Sequence, residues 1–226
     1  SDLFITKRGL ATGSNSFFIL THDQIVKNQL PFRFFKPILP SPRYLKINEI
    51  QADDEKKPLI EKPLYLLDCQ LPEDEIKKEH QKLWAYLQFG IKNEIHLKYL
   101  CRNRTPWYSQ EKREPAPILC TYMGRNNQKG GSKPFRFILN HSNAIATNVY
   151  LLLYPRPLLS KAFQNNPALI KTVWNALNNI STDNLIEAGR VYGGGLHKLE
   201  PKELSNVNAS DILKLIPELR PNPRRQ

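Results

Sequence analysis

The sequence predicts a mixed α+β fold in which mainly antiparallel strands are flanked by helices. Residues 118–123, 135–139 and 149–154 are short apolar runs rich in branched and aromatic side chains, as is typical of strands. Apolar residues recur instead at helical spacing in the stretches that begin at Pro72 and at Pro167. At 226 residues the chain is long enough for one large domain or two small ones.

The first 43 residues carry two strand signals and one helix signal. Residues 3–6 and 17–20 suit two strands, and the polar loop between them predicts a hairpin. Thr21, followed three residues later by Gln24, has the pattern of a capping box and predicts a short helix to about residue 30. Four prolines within residues 31–43 predict an extended chain, because proline interrupts both helices and ladders.

The middle of the chain predicts a strand followed by a long helix. Residues 49–63 suit a polar loop or hairpin, and residues 64–69 suit a buried strand. The clearest helix opens at Pro72, and Gly90 is expected to end or bend it. Residues 94–102 predict one or two further helical turns.

The last third of the chain predicts short helices and one short strand. Helices are expected over 158–163, from 167 onward and over 183–188, followed by a strand at 196–199 and a helical turn at 201. Residues 220–226 are rich in proline and arginine and are expected to form a disordered tail. The predicted domain therefore spans residues 1–219.

Charge is unevenly distributed along the chain. The formal net charge is +12, yet residues 49–79 hold ten acids and five bases and read as an acidic insertion. Residues 102–148 hold eight bases and two acids. This contrast favours a surface that faces a polyanion, with a repelling side opposite, over charge that serves solubility alone.

Several classes of protein are disfavoured by composition. The longest apolar stretch is strand-sized, so no membrane span and no membrane partner are predicted. Cys69, Cys101 and Cys120 are widely spaced, which argues against a zinc site or a disulfide framework and favours reduced core cysteines in a cytoplasmic protein. The chain lacks an initiator methionine and opens almost directly on a strand, so we expect it to be an excised piece of a longer protein.

Four stretches combine glycines, cations, amides and aromatic rings. They are Arg-Gly-Leu-Ala-Thr-Gly-Ser-Asn-Ser-Phe-Phe (8–18), Arg-Thr-Pro-Trp-Tyr (104–108), Asn-Ala-Ile-Ala-Thr-Asn (143–148) and Gly-Gly-Gly-Leu-His-Lys-Leu-Glu-Pro-Lys-Glu-Leu (193–204). In this order they resemble the N6-adenine DNA methyltransferases of restriction-modification and phage-defence systems. The first stretch resembles the signature Arg-Gly-(Ile/Leu)-Ala-Thr-Gly-x-Asn-x-Phe-Phe of the TaqI-like enzymes. In those enzymes a C-terminal target recognition domain follows the catalytic domain.

The resemblance implies a recognition domain without catalytic machinery of its own. The chain contains no Pro-Pro dipeptide and therefore lacks the (Asn/Asp/Ser)-Pro-Pro-(Tyr/Phe) motif that holds the target amino group. The glycine run at 193–195 precedes a strand instead of leading from a strand into a helix, so it is not a nucleotide-binding fingerprint. We expect no cofactor in this fragment, and S-adenosylmethionine in the intact parent enzyme. The implied partners are duplex DNA, an N-terminal methyltransferase domain and, as a further candidate, a nuclease domain or subunit.

The candidate DNA-binding residues lie in the four stretches, within three residues of their starts, or in the polar loop 124–133, which is the best candidate for reading bases. They are cations, amides, hydroxyls and aromatic rings: Lys7, Arg8, Thr12, Ser14, Asn15, Arg102, Arg104, Trp107, Tyr108, Arg125, Asn126, Asn127, Lys129, Lys133, Asn143, Thr147, Asn148, Arg190, Tyr192 and Lys198.

Other interpretations of the same residues stay open. Trp107 and Tyr108 either stack on a base or close the core, and the loop 124–133 either reads bases or is an ordinary surface loop. Leu199, Glu200 and Pro201 have the character of packing and capping residues. For the whole chain, the alternatives are a self-standing DNA or RNA binding module and a basic domain that binds an acidic protein.

Overall fold

The computed structural model describes residues 3–125 and 133–216. The strands are β1 (Phe4–Arg8), β2 (Ile19–Thr21), β3 (Phe35–Ile38), β4 (Glu49–Ile50), β5 (Leu64–Leu67), β6 (Ile118–Thr121), β7 (Met123–Arg125), β8 (Phe137–Asn140), β9 (Tyr150–Pro155), β10 (Arg190–Tyr192) and β11 (Leu196–Lys198). The helices are α1 (Asn15–Phe18), α2 (His22–Lys27), α3 (Glu73–Glu79), α4 (Gln81–Lys92), α5 (Tyr99–Arg102), α6 (Pro157–Asn165), α7 (Leu169–Asn178), α8 (Thr182–Ala188), α9 (Pro201–Asn206) and α10 (Ser210–Leu215).

A five-stranded sheet in the order β1-β9-β6-β8-β4 forms the centre of the molecule. Its pairs are antiparallel except the short parallel pair of β4 with β8. Successive residues of a strand point to opposite faces, and here both faces are buried: Leu151 and Leu153 pack in one core, Tyr150 and Leu152 in another. This double burial explains why the strands read as unbroken apolar runs.

Each face of this sheet is covered by a different part of the chain. Helices from the C-terminal third cover one face, where Val173 and Leu177 of α7 join the core of that face. The segment that precedes β4 covers the other face, with Leu39 and Leu45 fully buried. Trp174 donates its indole N–H to the carbonyl of Phe137 at 2.9 Å and so fastens α7 to β8.

The N-terminal region builds a second body around a three-stranded sheet in the order β2-β5-β3. Its core joins this sheet to α1, α3 and α4 through Phe17, Phe18, Ile76 and Leu83. A third sheet, the ribbon β10-β11-β7, is antiparallel and consists of three-residue strands. Most residues of this ribbon are exposed or half-buried.

Several predicted elements are confirmed, including the mixed α+β class with mainly antiparallel strands. Thr21 and Gln24 form the predicted capping box at the start of α2. Ser181 caps α8, which ends where Gly189 was expected to end it. Glu200 and Pro201 begin α9, and Leu199 is buried, so the predicted capping and packing roles hold.

The predicted N-terminal hairpin is wrong. Strand β1 pairs with β9 and β2 pairs with β5, so the two strands belong to different sheets. Phe17 and Phe18 lie in the helical turn α1, because their N–H groups donate to the carbonyl of Ser14. The aromatic side chains are buried as a strand would bury them, but the backbone bonds are local.

The long helix predicted from Pro72 is two helices. The chain breaks at His80, whose backbone angles of φ −133° and ψ 57° are not helical. Gly90 neither ends nor bends α4, which continues to Lys92. Strand β10 and helix α10 were not predicted, since short polar segments carry no clear period.

The segment 49–79 is integral to the fold, because it supplies β4, the central strand β5 and helix α3. Cys69, Cys101 and Cys120 are buried and form no disulfide, and burial raises the pKa of each thiol. In the part of the chain that is described, no helix is both long and apolar enough to cross a membrane. The predicted tail 220–226 lies outside the described residues.

Candidate functional site

The four stretches singled out in the sequence are numbered here as motifs in chain order. The first motif, 8–18, begins at the end of β1 and contacts the third motif, 143–148. The N–H of Leu10 donates to the carbonyl of Ala146 at 2.9 Å, and the carbonyl of Leu10 accepts from the N–H of Asn148 at 2.8 Å. A Cβ at Gly9 would lie 2.2 Å from the carbonyl oxygen of Thr147, so only glycine permits this approach. Residues more than 130 positions apart in the sequence, from two different motifs, therefore share one backbone junction.

Arg104 of the second motif holds the same loop from the other side. Its Nη2 donates to the carbonyl of Ala11 at 2.6 Å, and its Nη1 donates to the carbonyl of Thr12 at 2.8 Å and to Oε1 of Gln110 at 3.2 Å. Both terminal nitrogens are therefore committed to the protein. Arg104 therefore fastens the loop, and its role in binding DNA stays a prediction.

The aromatic residues of the second motif close the core. Tyr108 is fully buried, and its hydroxyl donates to the carbonyl of Leu71 at 2.5 Å. The ring of Trp107 packs against Phe17 and Phe18 with centroids 5.8 and 6.2 Å apart. Of the two interpretations left open by the sequence, the packing interpretation holds for Tyr108, which has no surface to offer a base.

The turn between β1 and α1 is ordered by its own polar side chains. Thr12 Oγ1 donates to Oδ1 of Asn15 at 2.6 Å and accepts from the N–H of Ser14 at 3.0 Å. Lys98 Nζ donates to Ser14 Oγ at 2.9 Å. This turn forms one wall of an open depression, which is lined by Ala11, Thr12, Gly13, Ser14, Asn15, Ser16, Lys98, Leu100 and Asn148.

The fourth motif reaches the first through Tyr122. The guanidinium of Arg8 lies 4.1 Å from the centroid of the Tyr122 ring, and the ammonium of Lys198 lies 5.2 Å from it. The N–H of Leu199 donates to the carbonyl of Tyr122 at 3.1 Å. Arg8 also donates through Nε to the carbonyl of Asn148 at 3.1 Å, which joins the third motif to this cluster.

The ribbon β10-β11-β7 carries four of the predicted residues on one face. Arg190 is the register partner of Lys198, and Leu196 is the partner of both Tyr192 and Arg125. Residues two apart in a strand share a face, so Arg125, Arg190, Tyr192 and Lys198 lie together. Arg190 is bound to Glu203 at 2.7 Å, and Arg125 donates to the carbonyl of Gly194 at 3.4 Å.

The ionic state around Tyr122 is set by Glu200. Burial raises the pKa of this carboxyl, but hydrogen bonds from Lys198 and Tyr122 outweigh that effect and lower it. The hydrogen bond of Lys198 with Glu200, followed by its hydrogen bond with Tyr122, raises the pKa of Lys198. At neutral pH the Lys198–Glu200 pair is therefore ionised, and Arg8 adds a second positive charge beside it.

Other predicted residues lie apart from this convergence. Lys133 donates to the carbonyl of Asn178 on α7, and the N–H of Asn143 donates to the carbonyl of Lys56. Arg102 is exposed and lies 5.4 Å from the ring centroid of Tyr99. Lys7 and Thr147 belong to the convergence instead. Lys7 is exposed and precedes Arg8 on β1, and Thr147 lies at the junction with Gly9 but is buried at 5% exposure. Three predicted residues fall outside the described part of the chain: Asn126, Asn127 and Lys129.

Sequence reasoning missed residues that the fold brings to the site. Lys98 and Leu100 precede the second motif and line the depression, and the ring of Tyr122 lies near both Arg8 and Lys198. Arg113 donates through Nε to the carbonyl of Arg8 at 3.4 Å. Lys98 stands close to the Arg-Thr-Pro-Trp-Tyr stretch, which is the only signal that pointed to it.

The fold and the site define a class: a mixed α+β domain whose four polar motifs meet around the end of its first strand. The chain belongs to the family described as the C-terminal domain of Type II methyltransferase M.Eco57I, which matches residues 1–222.

The chain is also similar in sequence to two curated proteins. The chain is 30% identical over 217 residues to Type II methyltransferase M.XamI of Xanthomonas campestris pv. amaranthicola, a match that covers 95% of the chain and 36% of that protein. It is 27% identical over 206 residues to Type II methyltransferase M.AccI of Acinetobacter calcoaceticus, covering 91% of the chain and 35% of that protein. The chain thus spans about a third of the length of these relatives.

Among solved structures, the chain is similar to the Type IIL restriction-modification enzyme MmeI, whose structure was determined in complex with DNA. The match has a TM-score of 0.43 at 12% sequence identity and covers 99% of this chain and 34% of that one.

Proposed function

We propose that this chain is the portion of an adenine-N6 DNA methyltransferase that recognises duplex DNA. The observation that carries the proposal is the meeting of all four motifs around the end of β1, where Arg8, Asn148 and Lys198 lie within one cluster. Family membership supports a methyltransferase parent. The net charge of +12 supports a polyanionic ligand.

The chemistry divides between anchoring and reading. Exposed cations neutralise phosphates without regard to sequence, whereas Arg and Asn side chains can bond to base edges. We assign Arg8 and Lys198 to phosphates because the protein holds both beside a buried ring. Arg125 on the ribbon and Asn127, which lies two positions further along the sequence, are assigned to base reading.

The rest of the parent protein supplies the reaction in this proposal. A catalytic domain binds S-adenosylmethionine, takes the target adenine out of the helix and transfers the methyl group to N6. The recognition portion then fixes where on the duplex this occurs. The proposed setting is a cytoplasmic restriction-modification or phage-defence system, with a nuclease domain or subunit as an additional partner.

The direct test is equilibrium binding of the full chain to a labelled duplex DNA at several salt concentrations. Binding should weaken steeply as salt rises, because each neutralised phosphate releases condensed counterions. Arg8→Ala and Lys198→Ala should weaken binding to every duplex and flatten the salt dependence. The matched control is Lys161→Ala, which removes an exposed cation from α6. Helix α6 follows the end of β9, and that end pairs with Phe4, at the opposite end of β1 from Arg8.

A second arm separates base reading from anchoring. Arg125→Ala and Asn127→Ala should change the preferred site, selected from a random duplex library, more than they change affinity. Equal loss of affinity for all four variants with an unchanged preferred site would contradict the division of labour. Stronger binding to structured RNA, or binding only to an acidic protein, would replace the proposed ligand.

A further inference from the structure

We propose that Arg8 and Lys198 form a single phosphate site whose geometry is set by Tyr122 and Glu200. The proposal rests on the proposed function, since the ligand is taken to be a phosphodiester of duplex DNA. It goes further by assigning both cations to the same phosphate. It also gives a positioning role to Tyr122 and Glu200, neither of which the sequence motifs assign to DNA.

Two cations from opposite ends of the chain lie against the same tyrosine ring. Arg8 lies 4.1 Å and Lys198 5.2 Å from the ring centroid, distances at which a cation is attracted to an aromatic face. Tyr122 is 1% exposed, so the ring cannot move toward a ligand. One buried side chain therefore helps to fix the positions of both charged groups.

Glu200 holds both the Tyr122 hydroxyl and the Lys198 ammonium. Its Oε1 accepts from the Tyr122 hydroxyl at 2.6 Å and pairs with Lys198 Nζ at 2.8 Å. Glu200 is itself held by the capping box of α9, in which its N–H donates to Glu203 at 2.7 Å. The carboxylate thus ties the ring, the lysine and a helix end together.

Arg8 retains donors for a ligand. Its Nε is bonded to the carbonyl of Asn148 at 3.1 Å, but within the described residues neither Nη1 nor Nη2 donates to a protein acceptor. The contrast with Arg104 is direct, because both Nη atoms of Arg104 are bonded to the protein. A guanidinium that presents two parallel N–H groups matches the oxygens of a phosphate.

The charge of the site suits one phosphodiester. Glu200 offsets one of the two positive charges, so Arg8, Lys198 and Glu200 together carry a charge of about +1 when all are ionised. A DNA phosphodiester carries a single negative charge. Lys198 bonds to Glu200 and to Tyr122 and has three N–H donors in all, which leaves one donor for a ligand oxygen.

A double-mutant cycle in the salt dependence of DNA binding tests whether the phosphate is shared. The slope of log K against log salt changes by about 0.9 for each duplex phosphate that the protein ceases to neutralise. Arg8→Ala, Lys198→Ala and the double variant should all show the same single decrease of about 0.9 in this slope. Each single variant should weaken binding about tenfold, and the double variant should add little to that.

The positioning role is tested with conservative variants. Tyr122→Phe keeps the ring but removes the bond to Glu200, and should weaken binding a few-fold with an unchanged slope. Glu200→Gln should weaken binding to a similar extent. Tyr150→Phe is the matched control, because Tyr150 is equally buried and its hydroxyl donates to the carbonyl of Pro40 on the other face of the sheet. Thermal unfolding of each variant, with Tyr122→Leu included, separates positioning from loss of fold.

The outcomes separate this proposal from the proposed function. If the slope of the double variant falls by about twice as much as that of the single variants, with an approximately hundredfold loss of affinity, the two cations bind different phosphates and the shared site is wrong. That result would leave DNA recognition standing. If Tyr150→Phe weakens binding as much as Tyr122→Phe does, the positioning role is wrong. If the unaltered chain binds no duplex DNA, both proposals fail, and binding of inorganic phosphate alone would place the ligand among free anions.

Discussion

The turn Thr12–Ser16 and the glycine tip Gly193–Gly195 belong to the same convergence of motifs but are built in opposite ways. In the turn, Thr12 is 1% and Ser14 6% exposed, and bonds from Arg104 and Lys98 hold the backbone and side chains. At the tip all three glycines are exposed, and a Cβ added to any of them would meet nothing within 4 Å. One side of the site is fixed by the core, and the other is fixed only by its own ribbon.

The difference shows how a small domain can hold one part of a site in a fixed geometry and leave another part adaptable. A turn with buried polar bonds keeps its donors and acceptors in one geometry, because leaving them unpaired would be costly. A run of glycines offers a backbone that can approach a ligand closely and tolerate unusual dihedral angles. Substitutions should therefore affect stability strongly at the turn and its neighbours, and weakly at the tip.

The largest effect is expected for Gly9→Ala. The added Cβ would lie 2.2 Å from the carbonyl oxygen of Thr147 and 2.6 Å from that of Ala146, both of them backbone atoms that cannot rotate away. We expect a loss of about 4 kcal/mol in the free energy of unfolding, measured by urea denaturation. Gly193→Ala is the matched control and should change stability by less than about 0.5 kcal/mol. Equal effects at the two positions would remove the contrast between turn and tip.

Arg104→Ala should be the next most damaging change. It leaves the carbonyls of Ala11 and Thr12 and the side chain of Gln110 without their donor. A loss of about 3 kcal/mol is expected in the same denaturation experiment. Arg102→Ala, which alters an exposed arginine two residues away, should cost less than about 0.5 kcal/mol. A stable Arg104→Ala variant would show that the turn holds its shape without this fastening.

Gly194→Ala should have a small but measurable effect. The site has open space around it, yet its φ of +72° lies in the left-handed region that side chains with a Cβ disfavour. We expect a loss of about 1 kcal/mol, read from the midpoint of thermal or urea unfolding. A neutral result would mean that the ribbon tip relaxes to another conformation when substituted.

The smallest expected effect is a pH dependence that comes from Glu200. Its pKa is lowered in the folded protein, so the stability it contributes is complete above the ordinary carboxyl pKa and is lost as the pH falls through the lowered folded value. Glu200→Gln should therefore lower stability at pH 7 by less than about 1 kcal/mol and should lose less on acidification to pH 3. Unfolding free energies of both proteins at the two pH values test this, and an unchanged acid sensitivity would contradict it.

Local signals in the sequence predicted local structure well. Thr21 and Gln24 carry their capping pattern within four residues, and the apolar runs at β6, β8 and β9 are long enough to be recognised as strands. The break at His80 was not visible, because Ile76, Leu83 and Leu87 continue the helical period across it. At the break, the ring of His80 contacts the ring of Phe34, a tertiary contact that no local sequence pattern contains.

The candidate site was predictable in composition and not in arrangement. The motifs identified Arg8 and Lys198, but only the pairing of β1 with β9 and of β11 with β7 brings them to one ring. Tyr122 could not be recognised from the sequence, since it follows β6 as one more apolar residue of a strand-like run. Arg104 and Tyr108 have the chemistry of ligands for DNA, and tertiary contacts use them for the fold instead.

The pairing of β1 with β9 also has a consequence for biosynthesis. Phe4 of β1 is the register partner of Pro155, so the ribosome must add about 150 further residues before the strand can dock. At roughly 5–20 residues per second this delay is on the order of ten seconds. The body around β2, β5 and β3 has its own core and can form in that interval. The apolar residues of β1 stay without their partner strand until β9 has been made. We expect the yield of correctly folded chain to be governed by this late closure, as is usual for sheets whose strands are distant in sequence.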